Sequence, residues 1–71
     1  MEVKIGVHNA PREIVVDVDA TQEEIEALVT KAIAGGVLDL SEAKGRRVLI
    51  AGERISYVEM GRQAQGTVGF R

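Results

Sequence analysis

Residues 46–60 constrain the fold of this chain more than any other stretch. Two β-rich runs, Val48-Leu49-Ile50 and Ile55-Ser56-Tyr57-Val58, flank Ala51-Gly52-Glu53-Arg54. Gly52-Glu53 fits a two-residue type II′ turn, with glycine where φ must be positive, and a four-residue loop over the same stretch gives the same pairing. Either turn sets Ile50 opposite Ile55, Val48 opposite Tyr57 and Arg46 opposite Glu59. Cross-strand partners share a face, so Val48, Ile50, Ile55 and Tyr57 are expected in the core, closed by an Arg46–Glu59 ion pair. The other face carries Leu49, Val58 and Met60, where a solvated face would be polar throughout. An exposed apolar patch of this kind marks a contact surface. Coverage by another chain is favoured here over coverage by the C-terminal tail.

The rest of the chain supplies the elements around this hairpin. Val3, Ile5 and Val7 alternate with Lys4, Gly6 and His8, the signature of a half-buried strand. A loop at Asn9-Ala10-Pro11-Arg12 leads to a second strand over residues 13–18. A four-residue loop pairs Val7 with Ile14, Ile5 with Val16 and Val3 with Val18, and His8 with Glu13 and Lys4 with Asp17 on the reverse face. Thr21-Gln22-Glu23-Glu24 is a capping box. Ile25, Leu28, Val29, Ala32 and Ile33 follow as one apolar stripe, and Gly35-Gly36 stops the helix, predicting it over residues 21–34. Val37-Leu38-Asp39-Leu40 reads as a strand. A loop Ala43-Lys44-Gly45 then sets Leu38 opposite Ile50, Leu40 opposite Val48 and Glu42 opposite Arg46. Residues 37–60 become a three-stranded meander, and Val68 and Phe70 share a face of a short last strand or arm.

The expected fold is α+β: an antiparallel sheet of about five strands in the order β-β-α-β-β-β, with one helix packed on one face. A helix of this length covers only one face of such a sheet. The expected core contains Val3, Ile5, Ile14, Val16, Leu28, Ile33, Val48, Ile50 and Tyr57. At 71 residues the chain is one domain, close to the size at which a single core is marginal, and it has no Cys to staple it. Self-association would supply what a disulfide or a metal does not. Met1-Glu2-Val3-Lys4 runs straight into a strand, with no signal peptide and no apolar run of transmembrane length, so a cytoplasmic protein with no membrane contact is expected.

Net charge is −2, but it is unevenly spread. Residues 13–42 carry eight acids against Lys31 alone; residues 44–71 carry six bases against Glu53 and Glu59. The halves can attract each other within one chain or between two. The basic half can also contact phosphates, through Lys44, Arg46, Arg47 and Arg54. RNA-binding sheets stack bases on exposed aromatics, and Tyr57 and Phe70 are the only aromatics, with Tyr57 assigned to the core.

The opening Met1-Glu2-Val3-Lys4-Ile5-Gly6, the run Lys44-Gly45-Arg46-Arg47-Val48-Leu49-Ile50, the run Ile55-Ser56-Tyr57-Val58-Glu59-Met60-Gly61 and Val68-Gly69-Phe70 resemble a small actinobacterial family of unknown function that includes a mycobacterial T-cell antigen. The resemblance covers essentially the whole chain and implies a cytoplasmic single-domain protein. It favours the four-residue loop at Ala51-Gly52-Glu53-Arg54, where relatives carry a loop of equal length with a proline. It brings no catalytic residues. Some relatives are labelled ATP-binding, but no G-x-x-x-x-G-K-[ST] stands in this chain, and Gly35-Gly36 is explained as a helix stop.

No catalytic motif emerges. Ser41 or Ser56, His8 and an aspartate assemble a triad only on paper, and a single His excludes a multi-His zinc site. Asp17 and Asp19 provide too few oxygens for calcium, which takes six to eight. No enzyme activity and no cofactor are expected. The leading expectation is a non-enzymatic protein-interaction module, self-associating through Leu49, Val58 and Met60 on the face the helix leaves bare. The alternative is weak RNA or DNA binding by the basic residues 44–54.

Overall fold

A computed structural model describes residues 1–61; the expected last strand around Val68 and Phe70 lies outside the described residues. The order is β1 (Glu2–Val7), β2 (Ile14–Asp17), α1 (Gln22–Ile33), β3 (Val37–Ser41), β4 (Arg47–Ala51), a 3₁₀ turn (Gly52–Arg54) and β5 (Ile55–Met60). The fold is α+β, with five strands in antiparallel sheets and one helix. The strands form two sheets rather than one. β2-β1-β5 is three-stranded and β3-β4 is a hairpin, and a single bridge between Val18 and Glu42 links them.

The helix forms where its caps place it. Thr21 Oγ1 accepts the Glu24 N–H at 3.1 Å, and the Glu24 carboxylate accepts the Thr21 N–H at 2.8 Å, so both arms of the capping box are made. Gly35, at φ +129°, turns the chain out of the helix. The β3–β4 register matches expectation: Leu38 faces Ile50 and Leu40 faces Val48. The turn between them passes through Gly45 at φ +102°. Glu42, expected opposite Arg46, takes that guanidinium at 2.7 Å, whereas Glu59 faces Lys4 rather than the expected Arg46.

The β4–β5 hairpin does not form. Ile50 does not face Ile55, nor Val48 Tyr57. After Ala51 the chain enters the 3₁₀ turn, where Gly52 is buried against the carbonyl of Ala32 and its N–H donates to the Gly36 carbonyl at 2.9 Å. The turn thus docks on the C-terminal end of α1 and sends β5 along the open edge of β1, setting Met60 opposite Val3, Val58 opposite Ile5 and Tyr57 opposite Gly6. The β1–β2 register is displaced by two residues from expectation, with Ile5 facing Ile14 and Val3 facing Val16. Asn9 takes the left-handed conformation at φ +66° and the Ala10 N–H closes on the Val7 carbonyl, so the connection consumes more residues than four. A shift of two keeps every side chain on its face. The charge pairs His8–Glu13 and Lys4–Asp17 are lost, because Lys4 faces Val15 and Glu2 faces Asp17.

The core is Val3, Ile5, Val16, Val18, Ile25, Ala32, Leu38, Leu40 and Ile50, with Ile14 and Val48 half-buried against it. Three expected core residues lie outside it: Leu28, Ile33 and Tyr57 are 43%, 57% and 47% exposed. The helix buries Ile25 and Ala32 and rests on β3, β5 and the 3₁₀ turn, a contact too narrow to cover the flanks of its stripe. Tyr57 leaves the core because its partner strand is β1, not β4.

Candidate interaction site

Leu49 does not share a face with Val58 and Met60. Leu49 lies on the outer side of β3–β4, opposite Asp39, and is 61% exposed. Val37, paired with Ala51 and diagonal to Leu49, is 60% exposed. Leu38, Leu40 and Ile50 point the other way, into the core. The outer face of this hairpin is therefore an apolar patch of Val37, Leu49 and Ala51, and among the described residues no element covers it. Arg47 and Asp39 border it with an ion pair of 2.7 Å. The Asp39 carboxylate holds the Arg47 guanidinium above its ordinary range, first through this hydrogen bond. Sequence reasoning missed Val37, although its alternation with Leu38 puts it on the Leu49 face.

Val58 and Met60 face the opposite way, half-buried against the core. They form one wall of a groove of about 500 Å³ between β5 and α1. Val29 and Ile33 form the helix wall, Ile55 continues the floor, and Glu26 and Glu53 stand on the rim. β5 ends its sheet, so the strand edge bordering this groove has no pairing strand among the described residues.

Tyr57 sits on the far side of β5. Its ring lies over Gly6, where a side chain would collide with it, and its hydroxyl donates to the Glu13 carboxylate. That hydrogen bond, followed by burial and the charge of Glu13, raises the phenol above its usual range. This cluster gives the outer face of β2-β1-β5 a polar closure, as the Arg47–Asp39 pair does at one end of the β3–β4 face.

The four bases are not gathered into one surface. Arg46 is held by Glu42 and by the Val15 carbonyl at 3.1 Å. Glu42 also accepts the Asp17 N–H at 3.1 Å; that bond, then the Arg46 one, lowers its carboxyl below the usual range. Arg47 is engaged by Asp39. Lys44 stands in the β3–β4 turn and Arg54 in the 3₁₀ turn, beyond the opposite end of β4. Arg54 contributes its carbonyl to the His8 N–H. Ser41 and Ser56 lie in different sheets. Among the described residues no three His, Asp or Glu side chains converge as a metal site, and no helix is long and apolar enough to cross a membrane.

No curated protein matches the chain. A family model does, over residues 1–71, and its description is protein of unknown function (DUF3107). The chain belongs to that family of proteins of unknown function.

Proposed function

We propose that this protein is a small non-enzymatic protein-interaction module of the actinobacterial cytoplasm that self-associates through the outer face of β3–β4. One observation carries the reading: Leu49 and Val37 lie diagonally across the β3–β4 hairpin, each about three-fifths exposed, on a sheet face that no described element covers. Large apolar side chains so placed find their stable environment against another surface. A symmetric contact would put the same patch on both subunits, and the size of the chain makes the added burial valuable. Val58 and Met60, expected on the same patch, take no part in this contact, because they line the groove beneath α1. Binding of RNA or DNA by Lys44, Arg46, Arg47 and Arg54 ranks second, since Arg46 is already paired with Glu42 and Arg47 with Asp39.

Analytical ultracentrifugation tests the proposal. The wild type should sediment as a dimer or larger at high micromolar concentration, and Leu49→Asp as a folded monomer. The buried-charge cost of several kcal/mol, roughly, would fall on the interface and not on the core. A wild type that stays monomeric would refute it.

A further inference from the structure

The outer face of β3–β4 is charged at both ends and apolar between them. β4 sends Arg47, Leu49 and Ala51 to this face at alternate positions, all of them exposed. β3 sends Val37 opposite Ala51, Asp39 opposite Leu49 and Ser41 opposite Arg47. Arg47 therefore stands at the end nearest the β3–β4 turn. At the other end Glu53, in the 3₁₀ turn, borders the same hollow as Val37 and Ala51. The apolar side chains lie between the base and the acid.

The two charges are held differently. Asp39 accepts a hydrogen bond from Nη2 of Arg47 at 2.7 Å. A guanidinium is planar and carries several N–H donors, so this bond orients Arg47 and leaves donors for a second carboxylate. Glu53 takes part in none of the ion pairs among the described residues.

A face with a base at one end and an acid at the other complements itself only end for end. Stacked sheets lie about 10 Å apart with their strands nearly aligned. A two-fold axis across the strands turns one copy end for end and puts the same patch on both sides. Midway between Arg47 and Glu53 in the chain is Ile50, whose neighbours on this face are Leu49 and Ala51. An axis at that level brings Arg47 of each copy to Glu53 of the partner subunit. It also sets Leu49 of each copy over the smaller Val37 and Ala51 of the partner subunit. An axis along the strands would instead gather both arginines at one end and both glutamates at the other, and such like-charge contacts are unfavourable.

We propose that two copies of this chain stack through the outer faces of β3–β4 with strands antiparallel, Arg47 of each copy pairing with Glu53 of the partner subunit on either side of Leu49, Val37 and Ala51. The inference rests on the self-association proposed above; it adds the orientation of the two copies and the residues that select it.

Sedimentation equilibrium of the full chain carrying charge reversals tests it, with circular dichroism to verify that each variant is folded. By symmetry each reversal strikes two ion pairs and turns attraction into repulsion. Glu53→Arg and Arg47→Glu should therefore each raise the dimer Kd by about tenfold or more. Combining them restores opposite charges across the contact, so the double variant should dimerise at least about tenfold more tightly than either single variant. A dimer that Leu49→Asp dissociates but that either charge reversal leaves intact would overturn this orientation and leave self-association standing. Two weakening reversals that fail to compensate each other would overturn it in the same way. A wild type that stays monomeric would overturn both proposals.

Discussion

Gly52→Ala tests the junction on which the topology turns. A methyl group on Gly52 would overlap the carbonyl carbon and oxygen of Ala32 and lie 3.0 Å from the Gly36 carbonyl oxygen. All are backbone atoms at the end of α1, so no side chain can rotate away; the helix and the 3₁₀ turn must separate. Overpacking of this kind costs about 1–3 kcal/mol. Strain on the Gly52–Gly36 hydrogen bond adds about 1 kcal/mol, and the stiffer unfolded chain returns about 0.4–1 kcal/mol. Because the overlap is with the backbone carbonyl of Ala32, the top of the overpacking range applies, and the net loss of about 3 kcal/mol compares with a total of about 4–11 kcal/mol for a domain of this size. The melting temperature should fall by roughly 10–25 °C. Gly35→Ala is the control. It has a φ of +129° and nothing within 4 Å of the added methyl, so it loses only the conformational term, about 1–3 kcal/mol. If β4 and β5 instead formed a tight hairpin, Gly52 would occupy an exposed turn and the two substitutions would cost about the same. Thermal and urea unfolding of both variants decide between these. A Gly52→Ala protein that melts no lower than Gly35→Ala would refute the docking of the 3₁₀ turn on the helix.

Thr21→Ala removes the side-chain arm of the capping box and should cost about 1 kcal/mol, read as a drop of about 4–8 °C in melting temperature; an unchanged value would mean that the cap contributes nothing. Glu42 gives a pH signature. Its folded carboxyl titrates below the usual 4.5 because it accepts the Asp17 N–H and then the Arg46 guanidinium. The sign is that of a depressed acid: the contribution is present above the unfolded value and is lost as pH falls through the folded one. Stability of the wild type should therefore decline more steeply below pH 4.5 than that of Glu42→Gln, and parallel acid unfolding curves would count against this link between β2 and β3–β4.

The parts of the fold that were legible in the sequence rest on local chemistry. Thr21 and Glu24 announced the helix start, Gly35 its end, and Gly45 a turn that closes β3 on β4 in the expected register. The faces of β1 and β2 were legible too, but not their offset, because alternation specifies parity and leaves shifts of two residues open. What failed was the choice of neighbour for β5. A glycine needed for positive φ and a glycine needed for close backbone approach look alike in a sequence; Gly52 is of the second kind. Gly6, read as an unremarkable outward position on β1, is where the ring of Tyr57 lies, and nothing local to either residue joins them. That one substitution of partner inverted β5 from Tyr57 onward: Tyr57 moved out, and Val58 and Met60 moved in, while Ile55, beyond the register shift at Gly6 and Val7, stays half-buried against the core. Leu49 was unaffected, because its outward direction depends on the β3–β4 register alone. The proposed interaction surface therefore keeps Leu49, gains Val37 from the same register, and gives up Val58 and Met60 to a groove whose other wall, Val29 and Ile33, was already visible as the helix stripe.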